Sequence, residues 1–223
     1  MVYDPAQAAV FRQRLLTHPG ERQNVDYKAS ARFANDDSFS LKLIRQIQGM
    51  ANTGGGWLVI GLAETKRGHV PDPAHTDDIC SSYDPTPLSQ ALDSFIERGQ
   101  DRMEVTVHFE VHPDTGLRYP EIQVEGFARV PYICRSEKAA SDTHEPILRK
   151  GVVYIRRPGA ETAPLSSLQD WVELLDRCWR LRRNELVHEV GELIEGMSSP
   201  AGPSRSAKEE LSTASDNSSP AVI

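Results

Sequence analysis

The sequence predicts an α+β fold, a mixed sheet with packed helices, followed by a long C-terminal helix and a disordered tail. Three observations carry that expectation. Period-two alternation in "VDYKAS" and in "MEVTVHFEVHPDTGLRYPEIQVEG" marks half-buried strands, the second stretch folding about "HPDTG" as a hairpin. Helical spacing of Leu41, Ile44, Ile47 and Ala51 marks an amphipathic helix. Directly after it, "WLVIGL" is an unbroken apolar run of strand length, the pattern of a strand buried on both faces.

Taken in order, Ala6 to Leu16 reads as a short amphipathic helix ending near "HPGE", within an N-terminal segment 1–20. Val25, Tyr27 and Ala29 then alternate with Asp26, Lys28 and Ser30, which places the polar set on the open face of a strand. "NDDS" supplies caps for the next helix, with Asp36 and Asp37 on the favourable side of its dipole. Asn52, Thr53 and the glycines Gly54, Gly55 and Gly56 end that helix. They serve either as a C-cap and tight turn or as a backbone nest for a phosphate. Pro71 to Pro87 reads as a long surface loop, "LSQALDSFIERG" as a helix stopped at Gly99, and "PYIC" and "GVVYIRRPG" as two further strands. A helix from about Leu168 to Ile194 follows, in a segment 166–196, and the Ser/Pro/Ala-rich stretch 197–223 has too little apolar surface to offset its ordering entropy.

Composition narrows the function. The 223 residues carry a net charge of -7, unlike a protein that coats nucleic acid along its whole surface. Charge is unevenly distributed, however: Arg149 to Arg183 holds eight Lys/Arg against four Asp/Glu, while acids gather around Asp72 to Asp84. Cys80, Cys134 and Cys178 form no CxxC pair, and the seven histidines have no ligand spacing. The opening residues lack the apolar core of a secretory signal, and no run approaches the roughly 20 apolar residues of a membrane span. A cytoplasmic protein without membrane contact is the expectation.

Three segments in order resemble the Schlafen-type AlbA domain: "ERQNVDYKAS", "LIRQIQGMANTGGGWLVIGLAE" and "VVYIRRPGAET". Coverage is Glu21 to Leu165, taken as a domain 21–165 of a bacterial single-domain member, with one extra residue before Gly159 compared with the family pattern. Members are often labelled ATP-binding, but the chain has no G-x4-G-K-[ST], so no ATP is expected. Other members are metal-dependent ribonucleases with three acids in these segments. Carried across by motif, those acids fall on Glu21, Asp26 and Glu64, which would hold Mg2+ or Mn2+, with Lys28 on a phosphate oxygen. Asp26 is one methylene shorter than the family's glutamate and Glu64 one longer than its aspartate. The alternative is that Asp26, Lys28 and Glu64 are solvated strand positions.

Arg149, Lys150, Tyr154, Arg156 and Arg157 surround one predicted strand, where arginine beside an aromatic suits phosphate contact with base stacking. Arg177, Arg180, Arg182 and Arg183 follow on the long helix around Trp179, and that helix also offers apolar positions for a second chain. The sequence thus points to a domain that binds RNA or DNA, with a divalent-metal endoribonuclease and a non-catalytic dimerisation module, a homodimer through the C-terminal helix, as alternatives.

Overall fold

The structure is a computed structural model and describes residues 5–34, 37–66, 68–97, 102–141, 146–159 and 161–198. In chain order its elements are α1 (Pro5–Thr17), β1 (Val25–Lys28), α2 (Ser38–Thr53), β2 (Gly55–Ile60), β3 (Leu62–Thr65), β4 (Gly68–Pro71), α3 (Asp77–Ser81) and α4 (Pro85–Phe95). They continue with β5 (Ile96–Glu97), β6 (Val105–Val111), β7 (Arg118–Glu125), β8 (Ile133–Cys134), β9 (Lys138–Ala139), β10 (Pro146–Leu148), β11 (Tyr154–Arg156), β12 (Thr162–Pro164) and α5 (Leu168–Ser198).

Four strands form the central sheet in the order β1-β2-β7-β6. β1 runs parallel to β2, whereas β2–β7 and β7–β6 are antiparallel, so the sheet is mixed. The β6–β7 pair is the hairpin about "HPDTG", closed by the Gly116 N–H on the His112 carbonyl at 2.9 Å.

Apolar residues cover both faces of this sheet. Leu58 and Ile60 of β2 and Ile122 and Val124 of β7 pack with Leu41, Ile44, Ile47 and Met50 of α2. Trp57 and Val59 of β2, Val25 and Tyr27 of β1 and Tyr119 of β7 pack on the other face with Leu15 and Leu16 of α1. Alternation along β2 therefore sorts residues between two cores, which is why its sequence is apolar throughout. Asp37 caps α2 by accepting from the Ser40 N–H at 2.6 Å.

Some elements differ from the sequence expectation. The Pro71–Pro87 stretch holds α3 and the first turn of α4. Thr76 caps α3, and Asp84 caps α4 with Pro85 just inside it, so capping chemistry set these starts where composition suggested a loop. Gly99 lies outside the described residues, as do Asp36 and almost all of the 197–223 tail. β3 and β4 form a hairpin that the sequence reading did not separate from its neighbours. No described helix is long and apolar enough to cross a membrane.

The chain divides into two compact units, Met1–Leu181 and Arg182–Ile223. The first contains the sheet and the start of α5, whose Leu174 joins the α2-side core. The second, among its described residues, is helical and carries an Arg182–Glu185 ion pair at 2.6 Å.

Candidate nucleic-acid interface

The glycine turn between α2 and β2 is built for close approach. Gly54 (φ 123°) caps α2 by donating its N–H to the Met50 carbonyl. A Cβ on Gly54 would lie 2.6 Å from Nη1 of Arg177, and one on Gly56 would strike the Asn24 carbonyl. The Trp57 N–H donates to that same carbonyl at 2.8 Å. Gly55 and Gly56 are registered against Glu125 and Val124 of β7. Two amides at the turn, those of Gly54 and Trp57, are thus engaged within the protein and are not free to hold a phosphate. Asn52 is a buried strut: its amide donates to the Tyr132 and Tyr154 carbonyls, each at 2.9 Å, and its Oδ1 accepts from the Tyr132 N–H at 2.8 Å. The Thr53 hydroxyl donates to the Gly49 carbonyl and accepts from the Arg156 N–H, both at 2.8 Å.

Arg156 required a larger correction. Its side chain is 0% exposed, its Nη1 donates to Oδ2 of Asp26 at 3.2 Å, and its Nε donates to the Gln23 carbonyl at 3.0 Å. It braces β11 against β1 and the end of α2 and presents no exposed cationic face. Tyr154 is buried as well; its hydroxyl accepts from the Arg149 N–H and donates to the Ile147 carbonyl, so it offers no stacking surface. Arg157 is held by Asp170 at 2.7 Å, and that pairing drives the Asp170 carboxyl well below its ordinary range. Of the predicted strand cluster, Arg149 and Lys150 alone are exposed.

The acid trio is split by the sheet. Asp26, 2% exposed, lies on the α2 side, its carboxylate shared between Arg156 and Lys28 Nζ at 2.9 Å. Lys28 is therefore a partner of Asp26. Tyr27, the next residue, faces the other way, and its ring lies 4.7 Å from that of His69. His69 in turn is 3.6 Å from Glu21 and is registered opposite Glu64 on the β3–β4 hairpin. Glu21 and Glu64 thus flank His69 on one side, while Asp26 points to the other. Among the described residues no group of three His, Cys, Asp or Glu is placed to hold a metal. The residues do not fit a divalent ion held by this trio, because one ligand is already neutralised by two cations on the opposite face.

What the fold does create is a pair of cavities that share Gln23, Thr53 and Arg177. One, of about 340 Å³, is bordered by Arg156, Arg177, Arg180, Glu173 and Asp176. The other, about 710 Å³ and open, runs over the three glycines beside Phe11 and Trp57. Arg177 lies at their junction. Its Nη1 donates to the Thr53 carbonyl at 3.0 Å, its guanidinium sits 5.2 Å from the Phe127 ring centre, and its Nε has no partner. Burial, and after it the charge of Arg180, lower the Arg177 pKa from its ordinary value. The sequence reading singled out Arg177 and Arg180 but not Phe11 or Gln23, which become neighbours of the turn only through long-range packing.

A sequence profile described as Schlafen, AlbA_2 matches residues 21–165, the stretch that holds the sheet, the glycine turn and the Arg156 brace. The chain belongs to the Schlafen AlbA_2 family. Among curated proteins none matches. Of solved structures, the DIP2311 protein of Corynebacterium diphtheriae is 19% identical with a TM-score of 0.46, over 76% of this chain and 29% of that one. The N-terminal domain of a RecG-related protein from Nitrosomonas europaea is 15% identical with a TM-score of 0.35, over 53% of this chain and 72% of that one. This AlbA_2 chain spans less than a third of the first of these.

Proposed function

We propose that this AlbA_2 protein binds single-stranded nucleic acid, RNA or DNA, in the groove over the glycine turn, and that it binds without cleaving. The observation that carries the reading is Arg177, fixed where the two cavities meet, with Arg180 close enough to oppose its charge. An anionic phosphodiester beside the pair relieves that repulsion and takes charge-assisted hydrogen bonds. Glu173 and Asp176 share the smaller cavity's wall. A ligand with both phosphate oxygens and donor-bearing base edges suits such a mixed lining better than an inorganic anion. The smaller cavity has room for an unstacked base and not for a duplex, and the exposed Phe11 beside the larger one offers aromatic surface to bases. Binding without cleavage follows from the split acids.

The test is fluorescence anisotropy with labelled single-stranded RNA and DNA over a salt series. Binding should weaken as salt rises, through counterion release. The exposed Arg180→Glu change should weaken it about tenfold, on the order of 1.4 kcal/mol. Arg149→Glu with Lys150→Glu should change it less than Arg180→Glu does. The reverse order would move the interface to the β10–β11 turn, and no binding at low salt would end the reading.

A further inference from the structure

Among the described residues, the largest concentration of exposed apolar side chains lies on α5. In the first unit Leu168, Trp171, Val172, Leu175 and Trp179 are all exposed, Trp179 at 72% and Leu168 at 81%. Their spacing is regular. Leu168, Val172, Leu175 and Trp179 follow one another at four, three and four residues, which is the seam that one helix presents to another. This stripe is distinct from the one that fastens α5 to its own domain, which uses Leu174, Cys178 and Leu181. The second unit, taken by itself, also exposes Leu186, Val187 and Val190.

We propose that this stripe pairs with the same stripe of a second copy of the chain, the two helices running antiparallel. The first argument is charge. Glu173, Asp176 and Arg180 are exposed and lie three and then four residues apart, so they share one flank of the stripe. That flank is acidic in its first half and basic after it. Antiparallel pairing sets each acidic half against the other copy's arginine, whereas parallel pairing sets like against like. The antiparallel register that does so is centred on position 177, where Arg180 of each copy comes level with the gap between Glu173 and Asp176 of the other, and Leu175 with Trp179.

The second argument is area. The five side chains, two of them tryptophans, offer on the order of 500 Å² of surface, a large share of the roughly 800 Å² per partner in a stable interface. Other occupants fit less well. The segment 199–223 has Leu211, Val222 and Ile223 as its large aliphatic residues, too few to cover two tryptophans and two leucines. An anionic lipid surface would meet Glu173 and Asp176 beside the stripe, where membrane-lying helices carry lysine and arginine.

Sedimentation velocity of the full chain from about 1 to 100 µM should show the mass of two chains at the upper end. Leu175→Arg should raise the dissociation constant at least tenfold while circular dichroism stays that of the wild type. Reversing Glu173 and Asp176 to Arg should weaken the dimer, and adding Arg180→Glu to that chain should restore it, because the opposed flanks become complementary again. A single-chain mass throughout overturns the proposal, as does a dimer indifferent to Leu175→Arg. Failure of the triple change to restore what the double change lost overturns the antiparallel pairing. None of these outcomes depends on nucleic-acid binding, which the anisotropy experiment reads separately.

Discussion

The two faces of the central sheet each bury one carboxylate, and they treat it in opposite ways. On the α2 side Asp26 is enclosed by Arg156 and Lys28, in a network that ties β1, β11 and the end of α2 together. On the α1 side Glu121 of β7 is completely buried, and neither of its oxygens has a partner. Burial, with Glu110 adding to it and Arg12 opposing, pushes the Glu121 carboxyl up to about 8. Arg12 makes its ion pair with Glu110 at 2.6 Å and offsets the burial of Glu121 only in part. A buried charge persists where cations answer it; without them the group stays protonated. The first face is therefore held by electrostatics, while the second is sensitive to pH.

The strongest way to break this contrast is Arg156→Ala. It leaves Asp26 buried beside Lys28 alone and removes the guanidinium's tie to the Gln23 carbonyl, so the loss should be about 3–5 kcal/mol by denaturant titration. A loss below about 1 kcal/mol would show that water reaches the pair and that the brace is dispensable.

The α1 face responds to acidity. Glu121 has a raised folded-state pKa, so between its unfolded value near 4.5 and about 8 the folded state holds a proton that the unfolded state releases. Stability therefore falls as pH rises through that window, by up to about 1.4 kcal/mol per pH unit from this one group. It levels off above the window. In Glu121→Gln the slope should flatten, with the variant gaining on the wild type at pH 8–9 relative to pH 5. Melting temperatures across pH 5–9 that run parallel for both proteins would show that Glu121 is solvated.

The smallest expected effect belongs to Glu21 and Glu64. Both are exposed beside His69, and replacing both with Ala should alter stability by no more than about 0.5 kcal/mol. Manganese should not raise the melting temperature of either protein. A metal-dependent rise in the wild type that vanishes in the double variant would reveal a divalent site on the face opposite Asp26.

Much of the architecture was legible in the chain. The period-two runs, the apolar strand after the glycines and the "HPDTG" hairpin depend on local periodicity, which survives translation into a sheet. The same rule put Asp26 on the correct face but read that face as open. Alternation assigns it to the face opposite Tyr27, as the structure does, but a sequence does not say that this face is covered too. Arg156 illustrates the same difficulty: arginine next to a buried strand reads as a ligand contact until its partner, 130 residues away, is known. Gly56 needed no side chain because the Asn24 backbone passes against it, a reason visible only once β1 and β2 lie side by side.

The residue order by itself determined the principal helices and strands of the core, where capping groups start α2, and that the chain is an AlbA_2 domain, because these follow from short-range spacing and motif order. Tertiary structure alone decided which charges are answered. The energy of a buried carboxylate depends on cations and water within a few ångströms, and the chain brings those neighbours from strands and helices far apart in sequence. For that reason the acids that motif order grouped together ended on opposite faces, while Arg177 came from the C-terminal helix to lie against the glycine turn.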